Sequence, residues 1–244
     1  MSEKNFIYGI RAVLEAINSN QKIEKVFLKK NLQSPQFSEL FRLVREKQIS
    51  FQFVPPEKLD RITKGNHQGV IAFMQIVEYV EVEDVIQSIF EKGQAPLLLL
   101  LDGVTDVRNL GSIARSAECA GVHLIVVREK GSAQISSDAI KTSAGALLRI
   151  PVAKVKSLSQ TVEYLKSSGL NIVAATEKAK DNIYDIDFSK PTAIVLGDEE
   201  KGISYQIIKS ANQHAKIPII GQIASLNVSN AASIIIYEVL RQRL

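Results

Sequence analysis

The sequence predicts an α/β protein: a mostly parallel sheet covered by helices, preceded by a smaller α/β unit. Two observations carry this. Short apolar runs alternate with helix-like stretches along most of the chain, the order expected of strand–helix units on a parallel sheet. In addition, three strand-like runs of the second half each empty into a polar loop. Leu97–Leu101 leads into 102–109, Ala193–Leu196 into 197–202, and Ile217–Ile220 into 221–227. Ligands of an open parallel sheet bind outside the carboxyl ends of its strands, so the three loops are expected on one edge.

In the first part, Arg11–Ile17 reads as a short helix, Glu24–Leu28 as a strand and Gln36–Lys47 as a helix. Phe51–Val54 reads as a strand, Glu57–Ile62 as a helix and Val70–Val77 as a closing strand. Glu78, Glu81, Glu83 and Asp84 then crowd an acidic stretch before Val85–Phe90, and Gly93 and Pro96 punctuate its end. This segment reads as a linker with a helical turn or two. The expected division is therefore 1–77, 78–95 and 96–244.

From Leu97 onward the strands are Leu97–Leu101, Leu124–Val127, Ile172–Ala175, Ala193–Leu196 and Ile217–Ile220. The helices are Leu110–Ala120, Ser157–Ser167 and Val228–Arg241. In the last helix Val228, Ala232, Ile235, Ile236, Val239 and Leu240 fall on one apolar stripe. Asn227 stands just before it, where a cap would satisfy free amide donors. The chain has no internal repeat and no low-complexity stretch.

The 244 residues, 45% hydrophobic and 23% charged, can bury a core. The 30 basic against 26 acidic residues leave a net +4, which permits a polyanionic partner without demanding one. A single cysteine, Cys119, excludes an intramolecular disulfide framework and points to a reducing compartment. His67, His123 and His214 have no metal-ligand spacing, so no metal site is expected. No apolar run reaches the roughly 20 residues of a membrane helix, and Met1–Asn5 lacks the apolar core of a signal peptide. The expected compartment is the cytoplasm, with no membrane partner.

The three loops carry the chemistry. Arg115, on a helix beside the first loop, can offer a bidentate fork to a phosphate or carboxylate. Gly197-Asp198-Glu199-Glu200-Lys201-Gly202 brackets four charged residues between glycines, which let a ligand approach the main chain. It is not a P-loop, because Ile203 and Ser204 follow, nor a dinucleotide fingerprint. Ser225-Leu226-Asn227-Val228-Ser229-Asn230 is rich in short polar side chains. Taken singly, each has a plainer reading: a solvated arginine, Asn109 as an N-cap, a charged turn, an elaborate helix start. Their co-occurrence on one predicted edge lifts them above it.

At these residues the chain resembles the SpoU (TrmH-type) family of RNA ribose 2′-O-methyltransferases. The first motif is similar to 109–117, the second to 194–204, and the third to 217–219 with 225–232. Ser143–Ala146 followed by Ile150-Pro151-Val152 also matches, as do Tyr8-Gly9, Val13–Ala16 and His67–Val70 at the front. One departure is 103–108, where many members carry a proline shortly before the asparagine. The resemblance implies a SPOUT-type fold, whose C-terminal chain threads a trefoil knot against the general rarity of knots. It also implies an N-terminal L30e-like RNA-binding domain and a homodimer formed through the catalytic domain. The implied cofactor is S-adenosyl-L-methionine, held mainly by main-chain groups around Leu196, Gly197, Ile217, Ile219, Leu226 and Asn227. Such a pocket leaves little side-chain signature.

The implied reaction is methyl transfer to a ribose 2′-oxygen, which calls for alignment and removal of a proton. The implied catalytic set is Asn109, Arg115, Glu199, Ser225 and Asn227. The family assigns the arginine as base, but a guanidinium keeps its proton up to a pKa above about 12. Arg115 is read here as holding a phosphate and stabilising the developing alkoxide, with the base left open. Asn109 and Asn227 would orient Arg115 or the ribose, Glu199 would fix its loop and Arg115, and Ser225 would shape the cofactor turn. The front domain points to a guanosine in the peptidyl-transferase region of 23S ribosomal RNA. Lys22, Lys25, Lys29, Lys30, Arg42, Arg45 and Lys47 are candidate phosphate contacts, or simply a solvated basic face. Rival readings are a transfer-RNA guanosine methyltransferase and a non-catalytic RNA-binding assembly factor.

Overall fold

The computed structural model describes residues 6–198 and 200–244. The chain forms two compact units, Met1–Ile76 and Val77–Leu244.

The first unit runs β1 (Phe6–Tyr8), α1 (Ile10–Asn18), β2 (Ile23–Lys29), α2 (Pro35–Glu46), β3 (Phe51–Val54), α3 (Pro56–Ile62) and β4 (Val70–Met74). The sheet order is β1-β4-β2-β3, with β2 and β3 parallel and β4 antiparallel to both its neighbours. α2 begins where Ser34 caps it by accepting from the Phe37 amide, and Pro35 follows in the first turn. Val13, Ile17, Phe37, Leu40 and Val44 of α1 and α2 bury against one sheet face, and Leu59 of α3 against the other.

The second unit runs α4 (Val82–Glu91), β5 (Leu97–Asp102), α5 (Val107–Cys119), β6 (Leu124–Arg128), α6 (Ser137–Thr142) and β7 (Val152–Val155). It continues through α7 (Leu158–Ser167), β8 (Asn171–Ala175), β9 (Asp181–Asn182), β10 (Thr192–Gly197), α8 (Tyr205–Ser210), β11 (Gln213–Lys216) and α9 (Val228–Arg243). The seven strands lie in the order β7-β6-β5-β10-β8-β11-β9, every pair parallel. The leucine run of β5 is apolar without alternation because both faces are covered. Leu97, Leu99 and Leu101 pack in the cluster that includes Ile113 of α5 and Ile236 of α9. Leu98 and Leu100 pack with Ile86 of α4, Val162 of α7 and Ile207 of α8. The predicted fold class stands: an α/β protein with a parallel sheet, helices on both faces and a small α/β unit in front.

Three expectations are corrected. Ile217–Ile220 is not a strand; the ladder residues are Gln213–Lys216, and the chain leaves the sheet before Pro218. Proline has no N–H to give a ladder, and Ile220 is fully exposed. Asn109 is not the N-cap of α5. Asp106 caps it by accepting from the Arg108 amide at 2.6 Å, which places Asn109 inside the first turn. Segment 78–95 is more than a connection, since Val82, Ile86 and Ile89 of α4 are buried. Strands β1, β7 and β9 and helices α6 and α8 are elements that the periodicity left unassigned.

Candidate active site

The site grows from the carboxyl ends of β5, β8, β10 and β11. Asp102 closes β5 and is buried. It accepts from the Ser204 amide at 2.7 Å and lies 3.4 Å from the Arg128 guanidinium. The first loop is thereby tied to the far end of the second.

The second loop folds on itself. Asp198 accepts at 2.9 Å from the amides of both Glu200 and Lys201, and the Gly202 amide donates to the Asp198 carbonyl. Those backbone donors, Lys201 first and then Glu200, hold the Asp198 carboxyl below the usual carboxylate range. Gly197 is demanded by closeness: a Cβ there would stand 2.3 Å from the Gly202 carbonyl carbon. Glu199 lies outside the described residues.

The third loop ends at Asn227, the N-cap of α9, whose Oδ1 accepts from the Ser229 amide at 2.9 Å. Its Nδ2 donates to Asn109 Oδ1 at 3.1 Å. One helical turn and more further along, Ser116 and Ser233 share a hydrogen bond of 2.7 Å. These two pairs, at nearly equal sequence separation, set α5 and α9 side by side in the same direction.

An open cavity of about 940 Å³ lies among these loops, within the usual range for small-molecule sites. Leu196, Gly197, Ile217, Ile219, Ser225 and Leu226 all line it. Asn227 does not. It is bonded instead to Asn109, which lines an adjoining crevice with Thr105, Asp198 and Val228, so that all three loops meet there. Arg115 lines neither space. It is exposed on α5 and makes no hydrogen bond or ion pair with a described residue.

The sequence reading missed one wall. Thr176, Glu177 and Lys178, following β8, also line the cavity. Ile172–Ala175 was legible as a strand, so the same edge rule that singled out three loops pointed to this fourth one. Asp102 carries no distinguishing signal in the sequence, because an aspartate at a strand end reads as an ordinary turn residue. The apolar lining and the peptide groups of 217–226, none of which bonds another described backbone group, suit a flat, mostly apolar ligand with polar edges.

The basic candidates of the first unit divide. Arg42 pairs with Glu46 at 2.7 Å, and Lys47 donates to the Ile17 carbonyl and Asn20. Lys25 stands over the Phe27 ring. Lys22, Lys29, Lys30 and Arg45 are exposed. No helix among the described residues is long and apolar enough to cross a membrane.

Comparison with known proteins agrees with this geometry. Residues 96–237 match the SpoU rRNA methylase family, and residues 6–80 match the RNA 2′-O ribose methyltransferase substrate-binding family. YacO of Bacillus subtilis, named as a TrmH family tRNA/rRNA methyltransferase, is 34% identical over 99% of this chain and 97% of its own. The AdoMet-bound rRNA methyltransferase of Sinorhizobium meliloti superimposes with a TM-score of 0.63 at 25% identity, covering 98% of this chain and 87% of that one. The A. aeolicus TrmH/SpoU tRNA modifying enzyme gives a TM-score of 0.57 at 30% identity, covering 66% of this chain and 83% of its own.

Proposed function

The chain belongs to the SpoU rRNA methylase family and is an S-adenosylmethionine-dependent RNA methyltransferase, and from that premise we propose that it methylates the ribose 2′-oxygen of a guanosine in the peptidyl-transferase region of 23S ribosomal RNA. The observation that carries the reading is the Asn109–Asn227 bond. It joins the first and third motifs beside a cavity built on the second.

The cavity fits the donor. Its volume suits an adenosyl ligand, its walls are apolar at Leu196 and Leu226, and the peptide groups around Ile217 and Ile219 are uncommitted to any ladder. Leu196, Gly197, Ile217, Ile219 and Leu226 would hold it, and Ser225 would shape the turn over it. When bound, the donor supplies a methyl group on a positively charged sulfur. The chain's own task is then alignment and proton removal. Asn109 and Asn227 fix each other and would orient Arg115 or the ribose. Arg115, exposed and without a partner among the described residues, would grip an RNA phosphate with its fork and oppose charge developing on the oxygen. Glu199 takes its loop-fixing role from the resemblance alone.

The first unit, with its match to a substrate-binding family, would supply RNA affinity as the 1–77 domain, and 96–244 would be the catalytic domain. Exposed Ile220, Ile223, Ile234 and Tyr237 support a homodimer through the second unit. The trefoil knot and a cytoplasmic location complete the reading. Preference for ribosomal RNA rests on coverage: the ribosomal relative matches 98% of this chain, the transfer-RNA one 66%.

Single-turnover methylation with labelled donor tests this on 23S ribosomal RNA and on total transfer RNA. The expected label lies on one guanosine ribose of the ribosomal species. Label on transfer RNA alone would displace the substrate assignment, and calorimetry showing no donor uptake would overturn the chemistry.

A further inference from the structure

The sheet of the first unit has two unlike faces. On one, Val26, Leu28, Val70 and Ala72 are aliphatic and buried under α1 and α2. On the other, the same strands carry aromatic rings. Phe6 stands opposite Phe73, and Lys25 flanks Phe73 on its other side. Tyr8 and Phe27 flank Ile71 in the same way.

Among the described residues the cover on this second face is short. α3 has 7 residues, about 10 Å at 1.5 Å per residue, against a sheet of four strands spaced about 4.8 Å apart. Leu59 of α3 buries Phe27, Val54 and Ile71. Phe6 and Phe73 are only half-buried, and Tyr8 is 39% exposed. The rings form an unbroken series: Tyr8 to Phe6 at 6.3 Å, Phe6 to Phe73 at 6.1 Å, and Phe73 to Phe27 at 5.1 Å. Two ammonium groups join it, Lys58 at 4.7 Å and Lys25 at 5.1 Å from the Phe27 centroid.

Half-exposed rings on a sheet, interleaved with lysines, meet the two needs of single-stranded nucleic acid: flat surfaces for bases and cations for phosphates. On the opposite face β2 and β4 present aliphatic residues, and the rings there, Phe51 and Phe53 of β3, are engaged by Phe41 of α2. We propose that the Tyr8–Phe6–Phe73 face, with Lys25 and Lys58, stacks unpaired bases of the RNA substrate. This rests on the reading of the chain as an RNA methyltransferase and specifies which surface engages RNA and in which form.

The test uses the full chain and a labelled, unstructured RNA of about twelve nucleotides, a length within the usual single-strand site sizes, beside a duplex of the same sequence. Tyr8→Leu and Phe73→Leu keep apolar volume and should weaken single-strand binding by roughly five- to a hundredfold while leaving duplex binding unchanged. Lys58→Gln, at an exposed position, should lower the salt slope of single-strand binding by about 0.7. Phe6→Trp would place the only tryptophan of the chain on this face, and its emission should be quenched by the single strand. Donor uptake by calorimetry serves as the folding control. Unchanged single-strand affinity in folded leucine variants, with no quenching, overturns the face while RNA binding by the parent chain still stands. A parent chain that binds neither RNA takes down the methyltransferase reading and this inference together.

Discussion

The amide of Asn227 donates to the side-chain carbonyl of Asn109 at 3.1 Å, across 118 positions of sequence. The same Asn227 caps α9 through its own oxygen. One side chain thus satisfies a helix terminus and locks two helices at the edge where the three loops converge. Asn109 sits in the first turn of α5, whose cap is Asp106, three residues earlier.

Asn227→Ala removes a helix cap, worth about 1 kcal/mol, together with the bridge. Asn109→Ala removes the bridge from its other side. A double-mutant cycle in chemical denaturation should show coupling of about 0.5–1.5 kcal/mol. Additive losses would mean the two amides act independently.

Arg115→Ala should leave the melting temperature within about two degrees, since surface changes usually stay within ±0.5 kcal/mol and the side chain has no partner among the described residues. Single-turnover methylation should fall at least about tenfold, the loss of one charge-assisted contact. Arg115→Lys should not restore it, because an ammonium lacks the fork. Near-normal turnover in either variant would remove Arg115 from the mechanism.

Gly197→Ala forces a Cβ to 2.3 Å from the Gly202 carbonyl carbon. The second loop must open, at a cost of about 1–3 kcal/mol. Donor binding by calorimetry should be lost at concentrations that saturate the parent chain, while RNA affinity persists. Retained donor affinity would show that the loop can close another way.

Asp198 gives the loop a pH dependence. Its folded pKa is depressed by the Lys201 and Glu200 amides. Its contribution is therefore present above the unfolded carboxylate pKa, about 3.9, and is lost as pH falls through the lower folded value. The difference in unfolding midpoint between the parent and Asp198→Ala should be level from neutral pH to about 5 and shrink below about 4. A difference that grew on acidification would contradict this assignment.

Removing residues 1–76 should weaken RNA binding and spare donor binding. The cut belongs after Ile76 rather than Val77, because Val77 is buried in the core of the second unit. RNA affinity that survived the deletion would relocate the substrate-binding role.

Much of the fold was legible because local patterns and packing agree. The leucine run of β5 reads as a strand within a covered parallel sheet, and the α9 stripe marks that helix's buried face in the sequence itself. Phe51–Val54 was read to the residue. Legibility failed where one local rule was outweighed. Ile217–Ile220 has the composition of a strand, yet Pro218 and the turn toward α9 keep it out of the sheet. Asn109 has the chemistry of a cap, yet the helix begins three residues earlier. Short β1 and β9 carry too few residues to show a period.

By itself the sequence determined which residue types each loop presents and that a parallel sheet would gather them on one edge. That follows from hydrophobic periodicity, a property of neighbouring residues. Only the tertiary structure decided that Asn109 meets Asn227, that Asp102 anchors Ser204, that Thr176 joins the cavity wall and that Arg115 stays outside it. Those relations depend on strand order and helix rotation, which arise from contacts between residues about a hundred positions apart and leave no period in the chain.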